Sequence, residues 1–139
     1  MKRNNIQKLL TIVTGFILIV GLLTLPACGN PLDNPEVRNK IVSELVRLIQ
    51  ADREGKAREY ARPRGIDLSA DNEVRVIVGF QPKDGDRVLR YLKGLGKVEV
   101  TLEKVVQVLV PISNIVDLAE YRLIIYVRRP ATISFGSEP

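Results

Sequence analysis

The sequence predicts an α+β fold, with N-terminal helices followed by a strand, helix, strand, strand, helix, strand series forming an antiparallel sheet. Three observations predict it. Apolar residues recur at three- and four-residue spacing from Val37 to Ile49, the period changes to two from Glu73 onward, and Pro and Gly mark each change of period.

The first helix begins at Asn34, a good N-cap, followed by Pro35 at the first helical position and Glu36 at the positive end of the dipole. Val37, Ile41, Leu45 and Leu48 form its apolar stripe, which Val42, Val46 and Ile49 widen. A second, charge-rich helix runs from Lys56 to about Arg62, with Ala57, Tyr60 and Ala61 as its thin apolar side, and Pro63 and Gly65 end it. The basic cluster Tyr60 to Arg64 reads as a solvated helix end, in preference to a site for an anionic headgroup near the membrane.

In the first strand, Val74, Val76, Val78 and Phe80 alternate with Arg75, Ile77 and Gly79, until Pro82 stops it. Asp84 or Asp86 caps the next helix, whose Val88, Leu89, Leu92 and Leu95 line one face and whose exit is supplied by Gly94 and Gly96. The acidic pair around Gly85 lacks the further ligands of a calcium loop, so capping is its expected use. Val98, Val100 and Leu102 then alternate in a second strand, and Val106, Val108 and Val110 in a third, with a turn around Glu103 to Val105. Ser113 is the natural N-cap of a short helix carrying Ile115, Leu118 and Ala119, and Leu123 to Val127 forms the last strand before Arg128, Arg129 and Pro130.

This βαββαβ order is the ferredoxin-like arrangement, in which two helices cover one face of a four-stranded antiparallel sheet. Right-handed crossovers place the first and third strands in its centre. The expected organisation is a leader over 1–27, a spacer over 28–33, a helical segment over 34–65, the ferredoxin-like unit over 73–130 and an extended tail over 131–139.

Composition narrows the function. The chain has 139 residues, enough for one small domain with a modest core, and contains no His and a single Cys, Cys28. Ser-His-Asp and Cys-His machinery, His-based metal centres and internal disulfides are therefore excluded, and no cofactor is expected. Ser43 and Ser113 have structural explanations, and no strand-to-helix elbow exposes a nucleophile, so the sequence predicts a protein that is not an enzyme. Lys2, Arg3 and Lys8 account for three units of the +5 net charge, leaving a surplus of two for the rest of the chain. With no basic stripe interleaved with aromatics, nucleic acid is not an expected partner.

Residues 9–25 carry no charge and follow a basic start, the pattern of a secretory leader. The segment Leu25-Pro26-Ala27-Cys28 resembles the lipobox of bacterial lipoproteins, with proline at an unusual position. The resemblance implies cleavage before Cys28, acylation of that cysteine and attachment of the chain to the outer side of a membrane in the bacterial cell envelope.

A second resemblance covers about residues 73 to 135. The Val-Arg-Val-Ile-Val strand, Gly94-Leu95-Gly96-Lys97-Val98, the run Val106-Gln107-Val108-Leu109-Val110-Pro111, Leu118-Ala119 and Tyr126-Val127 resemble the subtilisin-propeptide-like inhibitor family. The resemblance implies a ferredoxin-like domain that lays the open face of its sheet on a subtilisin-like serine protease and threads its tail into the cleft. Carried onto this chain, Thr132, Ile133, Ser134 and Phe135 form the threading segment, with Phe135 at the primary pocket and Thr132 at a distal one. Where family members usually carry acidic residues after the final Tyr-Val, this chain has Arg128 and Arg129. With no protease domain after Pro139, any such role is expected to be played in trans. The leading expectation is a membrane-anchored, non-catalytic adaptor that binds another envelope protein; the alternative is a trans-acting inhibitor or chaperone of a subtilisin-like protease.

Overall fold

The computed structural model describes residues 29–131. Cys28 and the segment Thr132, Ile133, Ser134 and Phe135 lie outside the described residues. Within them the chain is α+β, with five α-helices and a four-stranded antiparallel sheet: α1 (Pro35–Lys40), α2 (Ser43–Arg53), α3 (Ala57–Ala61), β1 (Glu73–Phe80), α4 (Gly85–Leu95), β2 (Lys97–Thr101), β3 (Val105–Pro111), α5 (Ile115–Glu120) and β4 (Ile124–Arg128). The strand order is β2-β3-β1-β4, which is compatible with a ferredoxin-like type of fold.

The period-two residues of the central strands explain the sheet. Val74, Val76, Val78 and Phe80 of β1 and Val106, Val108 and Val110 of β3 are all buried, and in register Val74 faces Val110, Val76 faces Val108 and Val78 faces Val106. Ile124 and Val127 of β4 extend this surface. Against it pack Val88 and Leu92 from α4, Ile115, Leu118 and Ala119 from α5, and Leu45 and Leu48 from α2, in one continuous core. Each fully buried Val, Leu, Ile or Phe among them contributes about 1.5–3 kcal/mol relative to exposure.

The helical segment is therefore built into the same core as the sheet. Residues 31–33, expected as spacer, form a 3-10 turn that buries Leu32. The N-terminal cap of α1 forms as expected: Asn34 Oδ1 accepts the Glu36 N–H at 3.0 Å.

The single helix expected from Val37 to Ile49 is instead broken at Ile41 and Val42. Ile41 is extended (φ −101°, ψ 126°) and bridges Val127 in parallel, while the Val42 N–H donates to the Val127 carbonyl at 3.1 Å. Two successive β-branched residues accept extended geometry readily, and the kink covers an otherwise open point on the edge of β4. Val42 does not widen the apolar stripe and is 40% exposed.

The expected side-chain caps of α4 and α5 do not form. Asp84 occupies the N-cap position of α4 without a capping bond, and Ser113 Oγ meets Asn114 Oδ1 instead of a backbone N–H. Both helices start from 3-10 turns, whose own carbonyls satisfy the first N–H groups. Asn114 Nδ2 donates to the Leu95 carbonyl at 3.0 Å and ties the start of α5 to the end of α4. Tyr91 stacks on Tyr121 at 4.0 Å between centroids and donates its hydroxyl to the Asp117 carbonyl, closing the helical layer.

Gly96 ends α4 for a different reason from the one its position suggests. Its backbone is extended (φ −174°), and a Cβ there would overlap the Leu109 carbonyl and the Val110 side chain. Gly94 has open space around it. Gly96→Ala is expected to cost about 1–3 kcal/mol by overpacking, whereas Gly94→Ala gains up to about 1 kcal/mol from helix propensity. Urea unfolding of the two variants checks this, and equal effects would contradict it.

Candidate protein-binding face

The second face of the sheet has none of the core helices on it. Alternation along the central strands puts Arg75, Ile77 and Gly79 of β1 beside Val105, Gln107 and Leu109 of β3 there. All except Gly79 are half-buried. Gly79 is covered by the Tyr126 ring, which a Cβ at that position would overlap.

Both edge strands then depart from strict alternation. In β2, Val98 pairs with Val108 and Val100 with Gln107, leaving Glu99 without a partner; in β4, Tyr126 pairs with Gly79 and Ile124 with Phe80, leaving Ile125 without one. Each extra residue is a β-bulge. Val98 packs on the core and Thr101 pairs with the buried Val106, so Glu99 and Val100 between them both turn to the free face. Ile125 and Tyr126 do the same between the buried Ile124 and Val127. Val100 is 46% exposed and Ile125 47%. The regular alternation of Val98, Val100 and Leu102 expected for β2 is thereby corrected: Val100 and Leu102 are exposed, because the bulge reverses their side.

The polar residues of this face satisfy one another. Arg75 grips Glu99 with two nitrogens, Nε to Oε2 at 2.5 Å and Nη2 to Oε1 at 2.9 Å, and Gln107 Nε2 donates to Glu99 Oε2 at 2.9 Å. Asp67 stands 3.6 Å from Arg75 on the other side. The hydrogen bonds from Arg75 and Gln107, helped by the charges of Arg75 and Lys97, hold the Glu99 carboxyl down at about 2, and the Glu99 hydrogen bond and charge raise Arg75. Because β3 lies between β1 and β2, this forked, charge-assisted pair reaches across it, with Gln107 of β3 joining from below.

Arg128 and Arg129, adjacent in sequence, do different things. Arg128 lies 5.0 Å from the Tyr126 ring centroid, a cation-π arrangement on the free face. Arg129 turns back into the fold, pairing with Glu44 at 2.7 Å and donating to the Gly65 carbonyl at 3.0 Å. It thus fastens the end of β4 to α2 and to the left-handed turn at Gly65 (φ 60°). Beside it a cleft of about 190 Å³ is lined by Asp67, Arg75, Pro130 and Ala131, where the described chain ends. In the Tyr60 to Arg64 cluster, Arg64 stacks on Tyr60 at 4.0 Å and donates to the Tyr60 carbonyl.

Among the described residues no group of three His, Cys, Asp or Glu could hold a metal ion, and no helix is long and apolar enough to cross a membrane. No family model matches the chain, and comparison with curated proteins and with solved structures finds no match. The free face offers apolar side chains, an aromatic ring and an internally neutralised ion pair, a mixture suited to covering by another protein surface.

The Glu99 pair has a pH signature. An unfolded glutamate titrates near 4.3, well above the folded value of about 2. The stabilisation is therefore complete above about pH 5 and lost as pH falls toward 2. Because the Arg75 side chain is 37% exposed, solvent screening leaves an expected cost of about 1 kcal/mol for Glu99→Gln at pH 7. Denaturant unfolding across pH 2 to 7 should show the variant and the unaltered chain converging in acid; a difference independent of pH would contradict the assignment.

Proposed function

We propose that the chain is a membrane-anchored, extracytoplasmic lipoprotein, and that the helix-free face of its sheet is a non-catalytic surface for binding another protein of the bacterial cell envelope. The observation that carries the binding reading is the pair of edge bulges. Each turns two successive side chains, Glu99 with Val100 and Ile125 with Tyr126, toward the same face. Tyr and Arg dominate the energetics of many interfaces, and Tyr126 with Arg128 places that combination beside the apolar Ile77 and Ile125. The anchoring part rests on the lipobox resemblance at Cys28, and the non-catalytic part on a sequence without His whose lone Cys is the residue that the lipobox would acylate.

Residues 73–128 read as a ferredoxin-like βαββαβ unit with α4 and α5 on one face, to which α1, α2 and α3 have been added.

A second reading is favoured by the position of Ala131, at the cleft where β4 ends. From there Thr132, Ile133, Ser134 and Phe135 continue the chain, and in a trans-acting inhibitor or chaperone of a subtilisin-like serine protease this segment would enter the protease cleft while the free face docks beside it.

Site-specific photo-crosslinking in intact cells tests the surface. A photoreactive residue at Leu109, on the free face, is expected to give one discrete adduct with an envelope protein, whereas the same residue at the helix-borne Arg87 gives none. Equal adducts from both sites, or none from Leu109, would overturn the binding reading. If the adduct is a serine protease, truncation after Arg129 is expected to abolish its inhibition; undiminished inhibition would reject the threading role. Metabolic labelling with an acyl analogue is expected to mark the unaltered chain and not Cys28→Ser, and an unprocessed, unlabelled chain would reject the anchor.

A further inference from the structure

We propose that the cleft between α1 and α2 binds the phosphate group of an anionic phospholipid headgroup. The cleft has a volume of about 350 Å³, and Arg38 projects from α1 while Arg47 and Gln50 project from α2 along its walls. Asn39 and Ser43 complete the polar lining, and no Asp or Glu is among the lining residues. Both arginines are exposed, and among the described residues neither forms an ion pair. The nearby carboxylates are engaged elsewhere, Glu36 with Lys40 and Glu44 with Arg129. Two guanidinium groups with amide and hydroxyl neighbours, and no competing acid, form a lining of donors for a phosphate.

The floor of the cleft favours a lipid phosphate over a free one. It is made by Ile41 and Val46, both buried, and Val42 is exposed next to Ile41. The apolar surface open to a ligand there is Val42, 40% exposed, which accommodates the carbon skeleton of a phosphate ester beside the cationic walls. Position argues the same way, and this step rests on the acyl-anchor reading. Arg53, at the end of α2, donates to Asn30 Oδ1 at 2.8 Å, and Asn30 is two residues from Cys28. Two extended residues span about 7 Å, and the six residues of helix from Arg53 back to Arg47 about 9 Å. Lipid on Cys28 therefore brings headgroups within reach of the cleft, where each arginine near an anionic surface adds to the attraction.

Arginine footprinting of the full chain in a neutral detergent tests this. Phenylglyoxal modification is read residue by residue by mass spectrometry in the presence of short-chain phosphatidylglycerol or of inorganic phosphate. Phosphatidylglycerol is expected to slow modification of Arg38 and Arg47 by about tenfold, to leave Arg87 and Arg122 unchanged, and to lose its effect on Arg47 in Arg38→Gln. The unfolding midpoint of that variant, unchanged, shows that it remains folded. Equal protection by inorganic phosphate would overturn the lipid assignment in favour of a free oxyanion, and no protection by either would overturn the site. The same spectra report acylation of Cys28, so the two readings fail separately: an unacylated but protected chain refutes the anchor alone, and an acylated, unprotected chain refutes the cleft alone.

Discussion

The structure depends on one constraint: β1 and β3 must bury one face completely and leave the other without helices. Val74, Val76, Val78 and Phe80 on β1 and Val106, Val108 and Val110 on β3 present a continuous apolar surface that water cannot cover. Every helix that joins the core does so on that side, including the N-terminal ones, which bring Leu45 and Leu48 against the same cluster. A chain of this size has little apolar surface to spare, so recruiting the N-terminal helices enlarges a core that the βαββαβ unit alone would leave small. Leu32 and Arg129 follow from it. One extends the core toward the N-terminus, and the other locks the end of β4 to α2 through Glu44.

The helix-free face is organised by its edges. A regular edge strand would alternate one side chain in and one out, but the bulges in β2 and β4 turn two successive residues outward on each side. Bulges also disturb the row of free N–H and C=O groups that makes an edge prone to indiscriminate strand pairing. The same irregularity thus discourages pairing through the edge and populates the face. Arg75 and Glu99 extend this economy: the bulge that frees Glu99 from the ladder places its carboxylate within reach of both Arg75 and Gln107.

Much of the architecture was legible because periodicity is a local signal. The strand beginning at Glu73, the Val88 and Leu92 face of α4 and the Asn34 cap all follow from spacing and residue type alone. What escaped depends on neighbours distant in sequence. The break at Ile41 requires knowing that β4 has an edge to cover, and the role of Gly96 requires knowing that Leu109 and Val110 pass close by. The bulge at Glu99 is invisible in the alternation of Val98, Val100 and Leu102, which looks regular until β3 sets the register. Of the site, Arg128 and Arg129 stood out as a pair, but only the fold separates one on the free face from one anchored to Glu44. Glu99 carried no signal beyond a charge in a strand.

If the helix-free face binds another envelope protein, as proposed, it is covered in intact membranes and open in the purified chain. Hydroxyl-radical footprinting compares the full chain in native membranes with the same chain purified in detergent. Tyr126 lies on that face and Tyr60 on the helical side, both half-buried, so the two tyrosines form a matched internal comparison. Oxidation of Tyr126 and its neighbour Ile125 is expected to fall severalfold in the membrane while that of Tyr60 is unchanged. Equal oxidation of Tyr126 in the two samples would contradict it.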